Sequence, residues 1–159
     1  MSGELQREVF ELTQQAAKLD DYDKQIEFYE KILLMDANNP EVHNNLAVAY
    51  YYADSLDATY EHLNKALILQ KDYAEAINNM GYVYKVAGRY QDAVKLFLRA
   101  ISLKKRYVIA LNSLGETYML MGENKNAQRV FQTVLDINPA DQYAKDSLVK
   151  IQKDPSSSN

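Results

Sequence analysis

A spacing of 34 residues governs this chain. Leu46-Ala47-x-x-Tyr50, Met80-Gly81-x-x-Tyr84 and Leu114-Gly115-x-x-Tyr118 recur at that interval, and so do Leu63-x-x-Ala66, Phe97-x-x-Ala100 and Phe131-x-x-Val134. A fixed period of this size means a tandem array of one supersecondary unit. One such unit cannot bury its apolar face alone, and stacking of neighbours supplies the core. Arrays of this kind work through a continuous surface rather than a catalytic pocket.

Each block reads as two amphipathic helices. Ile77, Met80, Gly81 and Tyr84 fall at i, i+3, i+4 and i+7, on one helical stripe, and Ala93, Phe97, Ala100 and Ile101 form a second. The turn Ala87-Gly88-Arg89-Tyr90 and its counterpart Met121-Gly122-Glu123-Asn124 place glycine where a helix leaves through a left-handed residue. Ala53-Asp54-Ser55-Leu56 and Leu19-Asp20-Asp21-Tyr22 are polar turns of the same length. Connections this short force neighbouring helices antiparallel. Asn39 reads as the cap of a helix that opens on Pro40 and Glu41. The pattern predicts helices at 4–19, 22–36, 40–53, 56–70, 74–87, 90–104, 108–121, 124–137 and 141–153. With only five glycines and three prolines, the chain lacks the turn residues of a β-rich protein.

Ala47, Gly81 and Gly115 share one repeat position. Glycine inside a helix costs roughly 1 kcal/mol relative to alanine, so its recurrence implies a neighbour too close for a β-carbon. Gly81→Leu is expected to cost roughly 1–3 kcal/mol by overpacking. Tyr50, Tyr84 and Tyr118 are expected in the core.

Composition excludes several classes. The net charge of −4 argues against nucleic acid, which demands a clustered basic face. Cysteine is absent, so neither a disulfide framework nor thiolate chemistry is available. No segment approaches the ~18 apolar residues of a membrane span, and residues 1–10 lack the pattern of a signal peptide, so a soluble, cytoplasmic chain is expected. His43 and His62 have no further ligand at metal spacing, and neither is expected to bind a metal. Lys104-Lys105-Arg106 reads as a solvated helix end. No phosphate loop, nucleophile with a paired base or carboxylate pair is present, so no enzyme and no cofactor is expected.

Leucine–glycine–x–x–tyrosine, then alanine–x–x–x–phenylalanine, then proline, at period 34, resembles the tetratricopeptide repeat. The fourth block carries Leu114, Gly115, Tyr118, Ala127, Phe131 and Pro139, and the third carries Met80, Gly81, Tyr84, Ala93, Phe97 and Ala100. The second is looser, with Leu46, Ala47, Tyr50, Thr59, Leu63 and Ala66; the first keeps Leu12 and Tyr29. Lys71 and Lys105 stand where the family usually has proline. The resemblance implies an all-α, right-handed superhelical solenoid of four helix-turn-helix units at 6–39, 40–73, 74–107 and 108–141. A capping helix over 142–153 and a disordered tail at 154–159 follow.

It also implies a concave groove lined by the first helix of each pair. Carried over residue by residue, the expected peptide-binding positions are Asn44, Asn45, Val48, Tyr51 and Tyr52, then Asn78, Asn79, Tyr82 and Lys85, then Asn112, Glu116 and Met119. Asn44, Asn78 and Asn112 recur at one register, and an amide that donates and accepts can pair with a peptide main chain without reading its sequence. Tyr51, Tyr52 and Tyr82 offer large contact area at small entropic cost. The chaperone-tail clamp of some family members needs basic residues. Threading its positions gives Phe10, Gln14, Asn45, Glu75 and Asn79, or Asn44, Val48, Asn79, Ile109 and Ser113. None is basic, so a chaperone carboxylate tail is not expected. The function expected is a non-enzymatic scaffold that takes an extended or helical segment of a protein or peptide ligand in its concave groove, with self-association (a homo-oligomer) as the alternative.

Overall fold

The computed structural model describes residues 3–153, and among them nine α-helices and no strand. They are α1 Gly3–Ala16, α2 Tyr22–Met35, α3 Pro40–Tyr52, α4 Leu56–Leu69, α5 Ala74–Val86, α6 Tyr90–Leu103, α7 Val108–Leu120, α8 Asn124–Ile137 and α9 Gln142–Lys153. Number and order agree with the periodicity. The largest difference is at α1, which ends at Ala16 instead of 19. There, Lys18 N–H donates to Gln15 O and Leu19 N–H to Ala16 O, both at 3.1 Å, so the chain tightens into three-residue turns. The tail expected at 154–159 lies outside the described residues.

The helix ends follow local chemistry. Asn39 Oδ1 accepts from Glu41 N–H at 3.1 Å and Val42 N–H at 3.2 Å, and Pro40 fills the first helical position without wasting a donor. Asp21 Oδ1 caps α2 through Lys24 N–H and Asp141 Oδ1 caps α9 through Ala144 N–H. Three exits repeat one motif. Ser55, Arg89 and Glu123 N–H each donate at 2.9 Å to the carbonyls of Tyr50, Tyr84 and Tyr118. The preceding residues, Asp54, Gly88 and Gly122, have φ of 56°, 74° and 74°. Each is a Schellman closure onto the tyrosine of the repeat motif.

The chain divides into two compact units, residues 1–79 and 80–159. In the first, α1 packs on α2, α2 on α3 and α3 on α4. Val9, Ala16, Tyr29, Ile32, Val42 and Leu46 form its core. In the second, α6 packs on α7, α7 on α8, and α9 on both α7 and α8. Its cores are Ala93, Phe97 and Leu114, and Leu111, Ala127, Phe131, Val134, Ala144 and Ile151. On α9, Ala144, Ser147 and Ile151 are buried while Lys145, Lys150 and Lys153 are exposed.

The small residues have an atomic reason. A β-carbon on Gly81 would stand 2.9 Å from Phe97 Cε1, and one on Gly115 would stand 2.7 Å from Phe131 Cζ. In the second block the same two positions hold Ala47 and Leu63, both fully buried, so a shorter partner accompanies a β-carbon. Tyr50, Tyr84 and Tyr118 pack against their cores as expected, though each is only half-buried. A phenol keeps its hydroxyl near a polar partner. Tyr50 OH donates to Glu30 at 2.7 Å, and the guanidinium of Arg89 lies 4.4 Å from the Tyr84 ring centre.

Candidate functional site

In the first unit the asparagines of the first helices hydrogen-bond in a directed series. Asn78 Nδ2 donates to Asn79 Oδ1 at 3.3 Å, Asn79 Nδ2 to Asn44 Oδ1 at 2.9 Å, and Asn44 Nδ2 to Asn45 Oδ1 at 3.2 Å. Burial raises the pKa of the Tyr29 phenol, and the neighbouring Asn45 amide works against that rise. Asn44 and Asn78 are each only 5% exposed, so these amides meet much of their bonding need through one another. One group is left over: Asn78 Oδ1 is buried and has no hydrogen-bond partner. In the second unit Asn112 Oδ1 is in the same condition on α7.

Aromatic rings gather at the C-terminal end of α3. Tyr52 is exposed and stacks on Tyr22 with centroids 4.8 Å apart, and Tyr51, half-buried, meets Tyr52 edge-on at 5.4 Å. Val48 is half-buried on the same helix. Stacking holds Tyr52 in one orientation despite its exposure, which lowers the entropic cost of using it as a contact.

In the second unit the expected residues form an ionic group. Lys85, only 7% exposed, donates from Nζ to Glu116 Oε2 at 2.5 Å and lies 4.3 Å from the ring centre of Tyr82. Tyr143 of α9 lies beside the same Glu116, and burial followed by that carboxylate's charge raises the phenol's pKa. Lys85 is therefore not an open cation: one carboxylate and one aromatic face hold it. Tyr82 remains exposed beside it. Met119 is half-buried and packs against the core around Phe131, so it presents less free surface than its register suggests.

Two features were missed from the sequence. His43 and His62 are brought together, Nδ1 to Nδ1 at 2.9 Å, by the antiparallel pairing of α3 and α4. Their separation of 19 residues matches no metal motif, and among the described residues no group of three or more metal-ligating side chains occurs. The mild net charge also conceals a partition. Residues 1–79 hold fifteen Asp and Glu against six Lys and Arg, a balance of −9, and residues 80–159 hold seven against twelve, a balance of +5. Counting charges block by block reveals this; a total does not. Among the described residues no helix is long and apolar enough to cross a membrane.

Models of the tetratricopeptide repeat match residues 16–39, 74–107 and 108–141. No curated protein matches the sequence. Among solved structures, MamA is similar at 30% identity and a TM-score of 0.73, over 82% of this chain and 77% of that one. The pilF protein of Pseudomonas aeruginosa is similar at 20% identity and a TM-score of 0.83, over 93% and 68%. The first tetratricopeptide domain of Spaghetti, bound to an HSP90 peptide SRMEEVD, is similar at 23% identity and a TM-score of 0.66, over 72% and 94%.

Proposed function

The chain belongs to the tetratricopeptide repeat family, and from that premise we propose that it is a non-catalytic protein–protein interaction module. It holds a peptide segment against the first helices of its repeats. Asn44, Asn45, Val48, Tyr51, Tyr52, Asn78 and Asn79 form the face on residues 1–79. Tyr82, Lys85, Asn112, Glu116 and Met119 form the face on residues 80–159.

The observation that carries this reading is the unpaired Asn78 Oδ1. A buried carbonyl oxygen without a donor costs about 1–3 kcal/mol, and native proteins seldom tolerate it without a use. An extended peptide offers a regular series of N–H donors, and a turn of the Asn78 side chain toward the groove would bring its buried oxygen to one of them. Asn112 Oδ1 makes the same demand on α7. The exposed rings of Tyr52 and Tyr82 supply the area that amides lack. A chaperone carboxylate tail is not the proposed ligand, because neither threading of the clamp contains a basic residue and Lys85 is already held by Glu116.

Peptides selected on this chain from a random display library test the reading. Asn78→Ala with Tyr82→Ala should weaken them by about 10–100-fold, one hydrogen bond and one aromatic anchor together, while the urea midpoint stays nearly unchanged. Unchanged affinity sinks the assignment of this face. One observation favours self-association as a second reading: Leu34 and Ile68, at equivalent positions of α2 and α4, are 89% and 82% exposed. Light scattering across concentration decides it, and a strict monomer excludes it.

A further inference from the structure

The only two histidines of the chain form a contact whose proton positions are fixed by its neighbours. His43 Nε2 lies 3.1 Å from the carbonyl oxygen of Ala37, in the turn between α2 and α3. A carbonyl only accepts, so Nε2 of His43 bears the proton, and in the neutral ring Nδ1 is then an acceptor. His62 must therefore donate its Nδ1–H across the 2.9 Å gap. One tautomer of each ring satisfies all of these bonds.

The two rings do not respond alike to acid. His62 can take a second proton on Nε2 and keep its bond to His43. His43 can take one only on Nδ1, where it would face the N–H of His62 at 2.9 Å. While the contact lasts, the pair holds at most one extra proton. In the unfolded chain both imidazoles titrate near pH ~6.5, and the pair holds two.

Glu61 and Lys65 of α4 are paired to each other at 2.6 Å, and Tyr50 of α3 stacks on His62 and bonds Glu30 of α2. Glu61 favours charge on both rings, Glu30 favours it on His62, and Lys65 opposes it. Burial is the largest influence on both and holds both below the usual histidine range. Neither carboxylate reaches the gap between the two Nδ1 atoms, so neither relieves the steric and electrostatic conflict there.

We propose that the His43–His62 contact is a proton-operated latch: neutral, it ties α3 to α4 and to the α2–α3 turn; doubly protonated, it cannot persist and frees that hairpin. His43 directly precedes Asn44, so the latch and the amide series share α3. What release does to a ligand rests on the peptide-binding reading; the latch itself does not.

The sign of the effect follows from the proton count. Folded-state proton affinities lie below unfolded ones, so stability is full above about pH 6.5 and falls as pH drops through that value. The carboxylates whose pKa values are depressed, Asp21, Glu61 and Asp92, lose their contributions only further down, below the ordinary range of about 4. The window between about pH 7 and 5 thus belongs to the two imidazoles.

The test is two-bond proton–nitrogen NMR of the whole chain from pH 8 to 5, with urea unfolding in parallel at pH 7.5 and 5.5. At pH 7.5 His43 should appear as the Nε2–H tautomer and His62 as the Nδ1–H tautomer. Below about pH 6 the folding equilibrium constant should fall about tenfold per pH unit for each excluded proton. His62→Gln offers both a donor and an acceptor to His43, so it should fold at pH 7.5 and lose most of the acid dependence. Both histidines titrating together near 6.5 in a folded chain, with equal urea midpoints at the two pH values, would overturn the latch. The NMR result on the unaltered chain stands even if the variant fails to fold.

Discussion

Asp54 occupies a backbone conformation that its two counterparts reserve for glycine. Its φ is 56°, while Gly88 and Gly122 at the same repeat position have 74°. A side chain in the left-handed region is strained, and Asp54 is exposed, so removing it loses little contact. Asp54→Gly should raise stability by about 0.5–1 kcal/mol and Gly122→Ala should lower it by a similar amount, both read from urea midpoints. The opposite requirement holds at Gly115. Gly115→Ala drives a β-carbon into Phe131 and should cost roughly 1–3 kcal/mol; Phe131→Leu in the same chain should restore part of it, as in the Ala47 and Leu63 pair. If the double variant is no more stable than Gly115→Ala alone, the ring is not the obstacle. That small residues recur was legible from the period. The strain at Asp54 was not, because aspartate suits a polar turn whether or not its φ is positive.

Between elements, pairings by side-chain chemistry were harder to read than helices. The nine segments were legible because each apolar stripe repeats at 34-residue intervals and each exit carries a turn residue. The Lys85–Glu116 pair was not: both residues were assigned to the first-helix faces, but nothing in a 31-residue separation says that one neutralises the other. Lys85 is buried while Glu116 is partly exposed. Glu116→Gln should therefore cost about 1–3 kcal/mol by leaving the ammonium poorly paired. Lys85→Met should cost less, since it removes the buried charge with its need for a partner. Equal losses in urea unfolding would contradict the burial argument. The α2–α3 pairing has its own signature. Tyr50, through burial and its bond to Glu30, is pushed up to about 12. The folded chain keeps that proton where the unfolded chain loses it, so stability should be full below about pH 10 and decline as pH rises from 10 to 12. Tyr50→Phe should flatten the decline in an alkaline unfolding series.

At the scale of the whole molecule, charge says what helix register does not. The balances of −9 over residues 1–79 and +5 over residues 80–159 are hidden in a total of −4. Complementary charge speeds encounter and selects partners, and salt screens it within about 10 Å at 0.1 M. Basic peptides should cross-link mainly to residues 1–79 and acidic ones to residues 80–159, with both yields falling between 50 and 500 mM salt. Yields indifferent to salt would mean that apolar contact dominates. The family and the first-helix positions were readable because tetratricopeptide motif residues announce themselves. Which amides bond to one another was not, because Asn44, Asn45, Asn78 and Asn79 look alike as letters and differ only in burial and partner. The most direct measurement is a backbone-amide NMR titration of the chain with a peptide selected on it. Ligand held on the first helices predicts shifts concentrated in α1, α3, α5 and α7, strongest around Asn78 and Tyr82. Shifts confined to α2, α4, α6 and α8 would contradict it.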